Sequence, residues 1–218
     1  MFEWLRALRR GEPLLEMVEE FRTMMDNNAW MYEQAVGLLT REIAYDAIAD
    51  DLYARDKKVN KSQRRIRKRI VRHLAAQPES DMPACLVLMS IVKDAERLGD
   101  YAKNLFEVGY YYTGTLEEDD IGPALRRRLL DVRKMFDLSC RAYAECDESL
   151  AHEVVSFKHE VSKECDELLE RLFESDLPTN RAVAFTLLTR YTKRITNHLY
   201  NIASGVFEPV HKVDYADE

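Results

Sequence analysis

Glycine and proline are scarce in this chain, with 7 and 6 among 218 residues. Sheets need frequent turn chemistry, so few breakers beside 33% charged and 46% hydrophobic residues predict an all-helical protein. A basic excess is also missing. The net charge is -7, which argues against a nucleic-acid binder. No apolar run approaches the ~20 residues needed to span a bilayer. Basic residues in positions 1–10 are followed by no apolar core, which argues against secretion. The four cysteines, Cys85, Cys140, Cys146 and Cys165, form no CxxC pair. They read as reduced thiols of a cytosolic protein, not as zinc ligands. A nucleophile elbow, a phosphate-binding glycine loop and an H-E-x-x-H zinc motif are all absent. His152 and His159, seven apart on one helix face, have no such motif beside them.

What is present is helical periodicity. Residues 1–13 read as a short amphipathic lead-in with Phe2, Trp4, Leu5 and Leu8, which gives membrane-surface contact little force. Leu14, Val18, Phe21, Met25, Met31, Ala35, Leu38 and Leu39 predict a first helix over about 14–44, interrupted only by Gly37. A second, over about 46–76, has Ile48, Leu52, Val59, Ile66, Ile70 and Leu74 as its seam. Its outer face carries Lys57, Lys58, Lys61, Arg64, Arg65, Lys68, Arg69 and Arg72. That strip is a solvated face or a docking surface for an acidic partner or anionic lipid heads. Gln77-Pro78 ends the helix, and Ser80 or Asp81 can cap a third that runs to about Tyr112. The pattern then restarts. A fourth helix carries Leu129, Val132, Met135, Phe136, Leu138 and Tyr143, and a fifth begins near Glu148. A sixth, capped by Thr179 or Asn180, reaches about Phe207. Three long helices followed by three more predict two tandem three-helix bundles, spectrin-repeat-like in plan. The divisions expected are a first repeat at 14–115, a second at 116–210 and a tail at 211–218.

The third helix holds the stretch around which the rest is arranged, Asp94-Ala95-Glu96-Arg97-Leu98-Gly99-Asp100-Tyr101-Ala102-Lys103-Asn104-Leu105. Ala95, Leu98, Ala102 and Leu105 form an apolar stripe, and Glu96, Asp100 and Asn104 repeat at four on another face. Two carboxylates one turn apart stand about 6 Å from each other and can share a cation. Gly99 beside them admits a close neighbouring helix. A degraded copy follows in Lys193-Arg194-Ile195-Thr196-Asn197-His198-Leu199-Tyr200-Asn201, where both carboxylates are gone. The second helices align too, residues 55–61 with 157–163, so Asp56 answers to Lys158 and Asn60 to Ser162. Periodicity keeps apolar classes in register, but it does not keep an Arg and an Asn in matching polar slots.

Asp56-Lys57-Lys58-Val59-Asn60 followed by Glu96-Arg97-Leu98-Gly99-Asp100 resembles the two acidic segments of the PhoU family. The resemblance covers almost the whole chain and is closer in the first repeat than in the second. It implies tandem three-helix bundles and a non-enzymatic cytosolic regulator of inorganic phosphate uptake and signalling, working at the inner face of the membrane. The partners implied are a membrane phosphate transporter (a sodium-phosphate symporter, a permease or an ATP-driven importer), a sensor histidine kinase and a second copy in a homodimer. Nucleic acid is not among them. It also implies iron or another divalent or trivalent metal ion, for which the ligand candidates are Asp56, Asn60, Glu96 and Asp100, with Asp94 nearby. In the second repeat Lys193 would oppose a cation, its charge and that of Lys158 being met by Glu160 and other acids. A ferritin-like metal-dependent enzyme would need E-x-x-H pairs in a bundle core. The one such spacing, Glu208 to His211, lies in the tail beside a proline. A metal-free helical adaptor is the other alternative.

Overall fold

The protein is described by a computed structural model over residues 12–76, 81–117 and 120–213. Most of the lead-in, the capping candidate Ser80 and the end of the tail lie outside the described residues. Six helices make up the regular structure of that range: α1 (Glu12–Leu39), α2 (Tyr45–Ala76), α3 (Met82–Tyr111), α4 (Gly122–Glu145), α5 (Glu148–Phe173) and α6 (Thr179–Ser204). Helices α1 to α3 pack mutually, as do α4 to α6, giving two tandem three-helix bundles. No described helix is long and apolar enough to cross a membrane.

The seams follow the periodicity. Helix α2 buries Leu52, Val59, Ile66 and Ile70 and leaves Ile48 and Leu74 half-buried. Such a narrow stripe marks a helix packed on one side only. Helix α3 is buried on two sides because it meets α1 and α2 in its own bundle and α6 in the other. The apolar residues of both repeats therefore form a single core. Helix α1 contributes Leu14, Phe21, Met31 and Ala35, all with no exposed surface. Fully burying a side chain of that size stabilises by about 1.5–3 kcal/mol.

Helix α1 stops at Leu39, five residues before the periodicity suggests. Gly37 causes this. Its carbonyl accepts the amides of Glu42 and Ile43 at 2.9 and 3.2 Å. The bare Cα of Gly37 leaves room for the tip of the Ile43 side chain, whose Cδ1 would stand 2.5 Å from a Cβ there. Arg41, at a left-handed φ of 67°, then donates to the carbonyls of Gly109, Tyr112 and Gly114 at 3.4, 2.5 and 2.7 Å. A cation on those acceptors suits the negative end of α3.

The capping expectations meet mixed outcomes. Asp81 stands at the N-cap of α3 but gives its carboxylate to His73 Nε2 at 2.8 Å instead of to the helix amides. Pro178, not Thr179 or Asn180, occupies the N-cap of α6. Asp147 caps α5, its Oδ1 accepting the amides of Ser149 and Leu150 at 2.8 and 3.2 Å.

The bundles are joined along two helix pairs. Tyr32 on α1 donates its hydroxyl to the carbonyl of Leu129 on α4 at 2.7 Å, and Glu33 pairs with Arg133 at 2.6 Å. Helices α3 and α6 run antiparallel. Asp94 takes His198 Nδ1 at 2.7 Å and the Asn201 amide at 2.9 Å, and Tyr101 lies against both Tyr191 and His198. The internal alignment pairs Asp94 with Tyr191 and Tyr101 with His198. The Asp94–His198 contact thus has the Tyr191–Tyr101 contact as its mate, and the seam approximates a two-fold relation between the repeats.

Candidate functional site

Gly99 admits α2 as its position suggests: a Cβ there would meet Asn28 Oδ1 at 3.0 Å and Val59 Cγ1 at 3.5 Å. Asn28 is fully buried and donates its amide to the Ala95 carbonyl at 2.6 Å, while its own oxygen has no partner among the described residues. The close approach brings the acidic faces of α2 and α3 side by side.

Of the four candidate ligands, the structure brings Asp56, Glu96 and Asp100 within electrostatic reach of one another; Asn60 is half-buried one turn along α2 from Asp56. The aspartates are held together by a residue of the chain. Lys103 Nζ stands 3.2 Å from Asp56 Oδ1 and 3.4 Å from Asp100 Oδ1. Arg97 closes the outer side, 3.1 Å from Asp100 Oδ2 and 3.7 Å from Glu96 Oε2. Asp94, counted near the site, points the other way, into the seam with α6.

The electrostatics follow. Burial pulls the Lys103 ammonium down, but Asp56 and Asp100 outweigh it, and its pKa rises above the ordinary lysine value. Burial, and then the Asp100 charge, raise the Glu96 carboxyl above the ordinary range, with Arg97 opposing. A raised carboxyl means the folded state binds more protons than the unfolded one. Stability from this group is present below its unfolded pKa and falls as pH rises through the folded value. Glu96→Gln is therefore expected to raise neutral-pH stability by a few tenths of a kcal/mol, the scale of a relieved like-charge pair. The gain should vanish near pH 4, which urea unfolding at the two pH values would check. An equal gain at both would refute the assignment.

The donor set can be compared with what a metal ion needs. A hard cation takes several oxygens converging at 2.0–2.6 Å. Here an ammonium already bridges the two aspartates, and among the described residues no three His, Cys, Asp or Glu side chains are disposed to hold one metal ion. With Lys103 in place the residues do not fit a metal ion.

The second repeat presents the inverse arrangement at matching positions. Lys158, in the place of Asp56, is buried, with its ammonium 5.2 Å from the ring centre of Tyr200, which stands in the place of Lys103. Lys193, in the place of Glu96, is held by both oxygens of Asp166 at 2.6 Å. Its partner is therefore Asp166 and not Glu160. Glu160 instead joins Asp131 and Glu164 around Arg128, a buried residue of α4. Three cysteine thiols offer no further ligand or nucleophile, since burial pushes Cys85 up to about 11 and Cys140 and Cys165 up to about 12.

The repeat organisation decides the family. The family model of the PhoU domain matches twice, over residues 14–108 and 125–206, once on each bundle. The chain belongs to the PhoU domain family. Solved structures share the fold. PhoU from Pseudomonas aeruginosa superposes with a TM-score of 0.76 at 24% identity, covering 89% of this chain and 95% of that one. The phosphate transport system regulatory protein PhoU from Streptococcus pneumoniae gives 0.72 at 16% identity, with the same coverage. No curated protein matches the sequence.

Proposed function

We propose that this PhoU-domain protein is a non-enzymatic regulator of inorganic phosphate uptake and phosphate signalling, acting in the cytoplasm on a membrane phosphate transporter and on a sensor kinase. The observation that carries the reading is the tandem match, one PhoU domain on each bundle. The Streptococcus pneumoniae neighbour, described as a regulatory protein of a phosphate transport system, supports it. The charged faces suit the role. Lys103, Arg97 and Arg128 hold carboxylates in ion-pair networks. A homodimer belongs to the same reading.

Deleting the gene in its host tests the proposal. Uptake of labelled phosphate under phosphate-replete conditions should rise several-fold, and a phosphate-starvation reporter should turn on. Re-expression of the chain should reverse both. Unchanged uptake together with a silent reporter would overturn the reading. Co-purification from membranes with a symporter, a permease or an importer subunit would then identify the transporter.

A further inference from the structure

The basic strip on α2 divides once the ion pairs are known. Arg65 and Arg69 turn toward α1, where Arg65 meets Glu20 at 2.5 Å and Arg69 meets Glu16 and Glu20, each at 3.5 Å. Lys58 lies about 100° round the helix from Lys57, on the side of Arg65 and Arg69; Lys57, Lys61, Arg64, Lys68 and Arg72 remain. All five are exposed, and none pairs with an acidic side chain among the described residues. At 3.6 residues per turn they fall within an arc of about 80° and span about 22 Å along the helix. Asp46 and Asp50 lie on the same arc two to three turns earlier, so the patch begins at Lys57. On the α1 side Glu16 and Glu20 are neutralised by Arg69 and Arg65, and Glu19 by Arg22 at 3.3 Å. On the α3 side Asp56 and Asp100 are occupied by Lys103. A row of uncompensated cations therefore runs along one crest of a protein whose net charge is -7.

We infer that this crest is a peripheral membrane-binding surface for anionic phospholipid headgroups. The shape favours a bilayer over an acidic protein segment. The cations stand on a convex helix with no aromatic side chain among them to anchor a protein partner. The apolar residue at their edge is Val71, 61% exposed, suited to the interfacial zone. Long Lys and Arg stems let the charges reach headgroups while the helix lies flat. A planar array of phosphates needs no more than spacing and sign. Vesicle binding of this kind requires neither a transporter nor phosphate, so its outcome is separate from that of the uptake experiment.

The full chain would be sedimented with phosphatidylcholine vesicles, alone or with about a third phosphatidylglycerol, where each lysine or arginine near the surface strengthens binding about fivefold. Binding is expected only to the anionic vesicles and is expected to disappear in about 1 M salt, where the screening length falls to about 3 Å. The triple variant Lys61→Gln, Arg64→Gln, Lys68→Gln should lose about 100-fold in partitioning, and Lys61→Gln alone about fivefold. Because these side chains make no ion pair among the described residues, the thermal midpoint should hold. The control Lys93→Gln, Lys163→Gln, Arg190→Gln removes the same charge from exposed sites elsewhere and should keep binding within a few-fold. Wild-type protein that ignores anionic vesicles, or a control that loses as much as the crest variant, would overturn the proposal. So would capture of a poly-glutamate peptide without vesicle binding, which would give the crest to an acidic protein segment.

Discussion

Asp94→Ala should destabilise the protein by about 3 kcal/mol, because it removes the polar acceptor at the centre of the seam between the repeats. The side chain is 5% exposed and accepts from both His198 and Asn201. Truncation leaves a half-buried imidazole nitrogen and a half-buried amide without their acceptor, and hydrogen bonds to a charged group carry about 1.5–3 kcal/mol each. Asp94→Asn keeps one acceptor oxygen and should lose about half as much. A double-mutant cycle with His198→Ala should return a coupling of 1 kcal/mol or more, within the range of directly contacting residues. Because the core runs through both bundles, the wild type should unfold in urea in one transition. The alanine variant should show a lower slope as the bundles begin to unfold separately. A cost under about 1 kcal/mol with an unchanged slope would mean that the seam is held by the Tyr101, Tyr191 and His198 rings and by apolar contact alone.

The helices were legible because each carries its own period. Leu52, Val59, Ile66 and Ile70 state the buried face of α2 without reference to any other element. The end of α1 was not legible in that way. It depends on Ile43 folding onto Gly37, and on Arg41 reaching carbonyls 68 to 73 residues away. No local pattern carries such a contact. Asp81 does take the N-cap position of α3, but its carboxylate bonds His73 instead of the amides of its own helix, a contact across elements of the same kind. Asp94 and Lys103 are different, since the signal for both was present. At 100° per residue Asp94 lies about 160° from Glu96 and so cannot share its site. Lys103 lies within about 20° of Glu96, one turn beyond Asp100, on the same face. The carboxylates alone invite a cation; Lys103 on the same face supplies one from the chain. The internal repeat was the most informative feature, because matching Asp56 with Lys158 and Glu96 with Lys193 exposed the inverted charges before any distance was known.

The Lys103 ammonium gives the second large prediction, and its sign separates a structural lysine from a family metal site. Lys103→Met keeps the stem and removes the charge. Asp56 and Asp100 are then left facing each other, 14% and 28% exposed, with Arg97 relieving Asp100 alone among the described residues. Breaking a partly buried pair from one side should cost about 1–3 kcal/mol, below the 3–5 of a fully buried one. The raised lysine pKa means this stabilisation is whole below the unfolded value of 10.5 and is lost as pH rises through the folded value. The difference between wild type and variant should therefore be constant from pH 6 to 9 and shrink only in strong alkali. Divalent manganese or ferrous iron should leave the wild-type midpoint unchanged, because the ammonium occupies the place between the aspartates. The same ions should restore part of the loss in Lys103→Met, since a cation can then bind the folded state, where the ligands are assembled, and not the unfolded chain. Adding Asp100→Asn to the variant should abolish that recovery. A wild-type midpoint that climbs with metal concentration, and ceases to climb in Glu96→Gln with Asp100→Asn, would show instead that Lys103 yields its place to a metal ion.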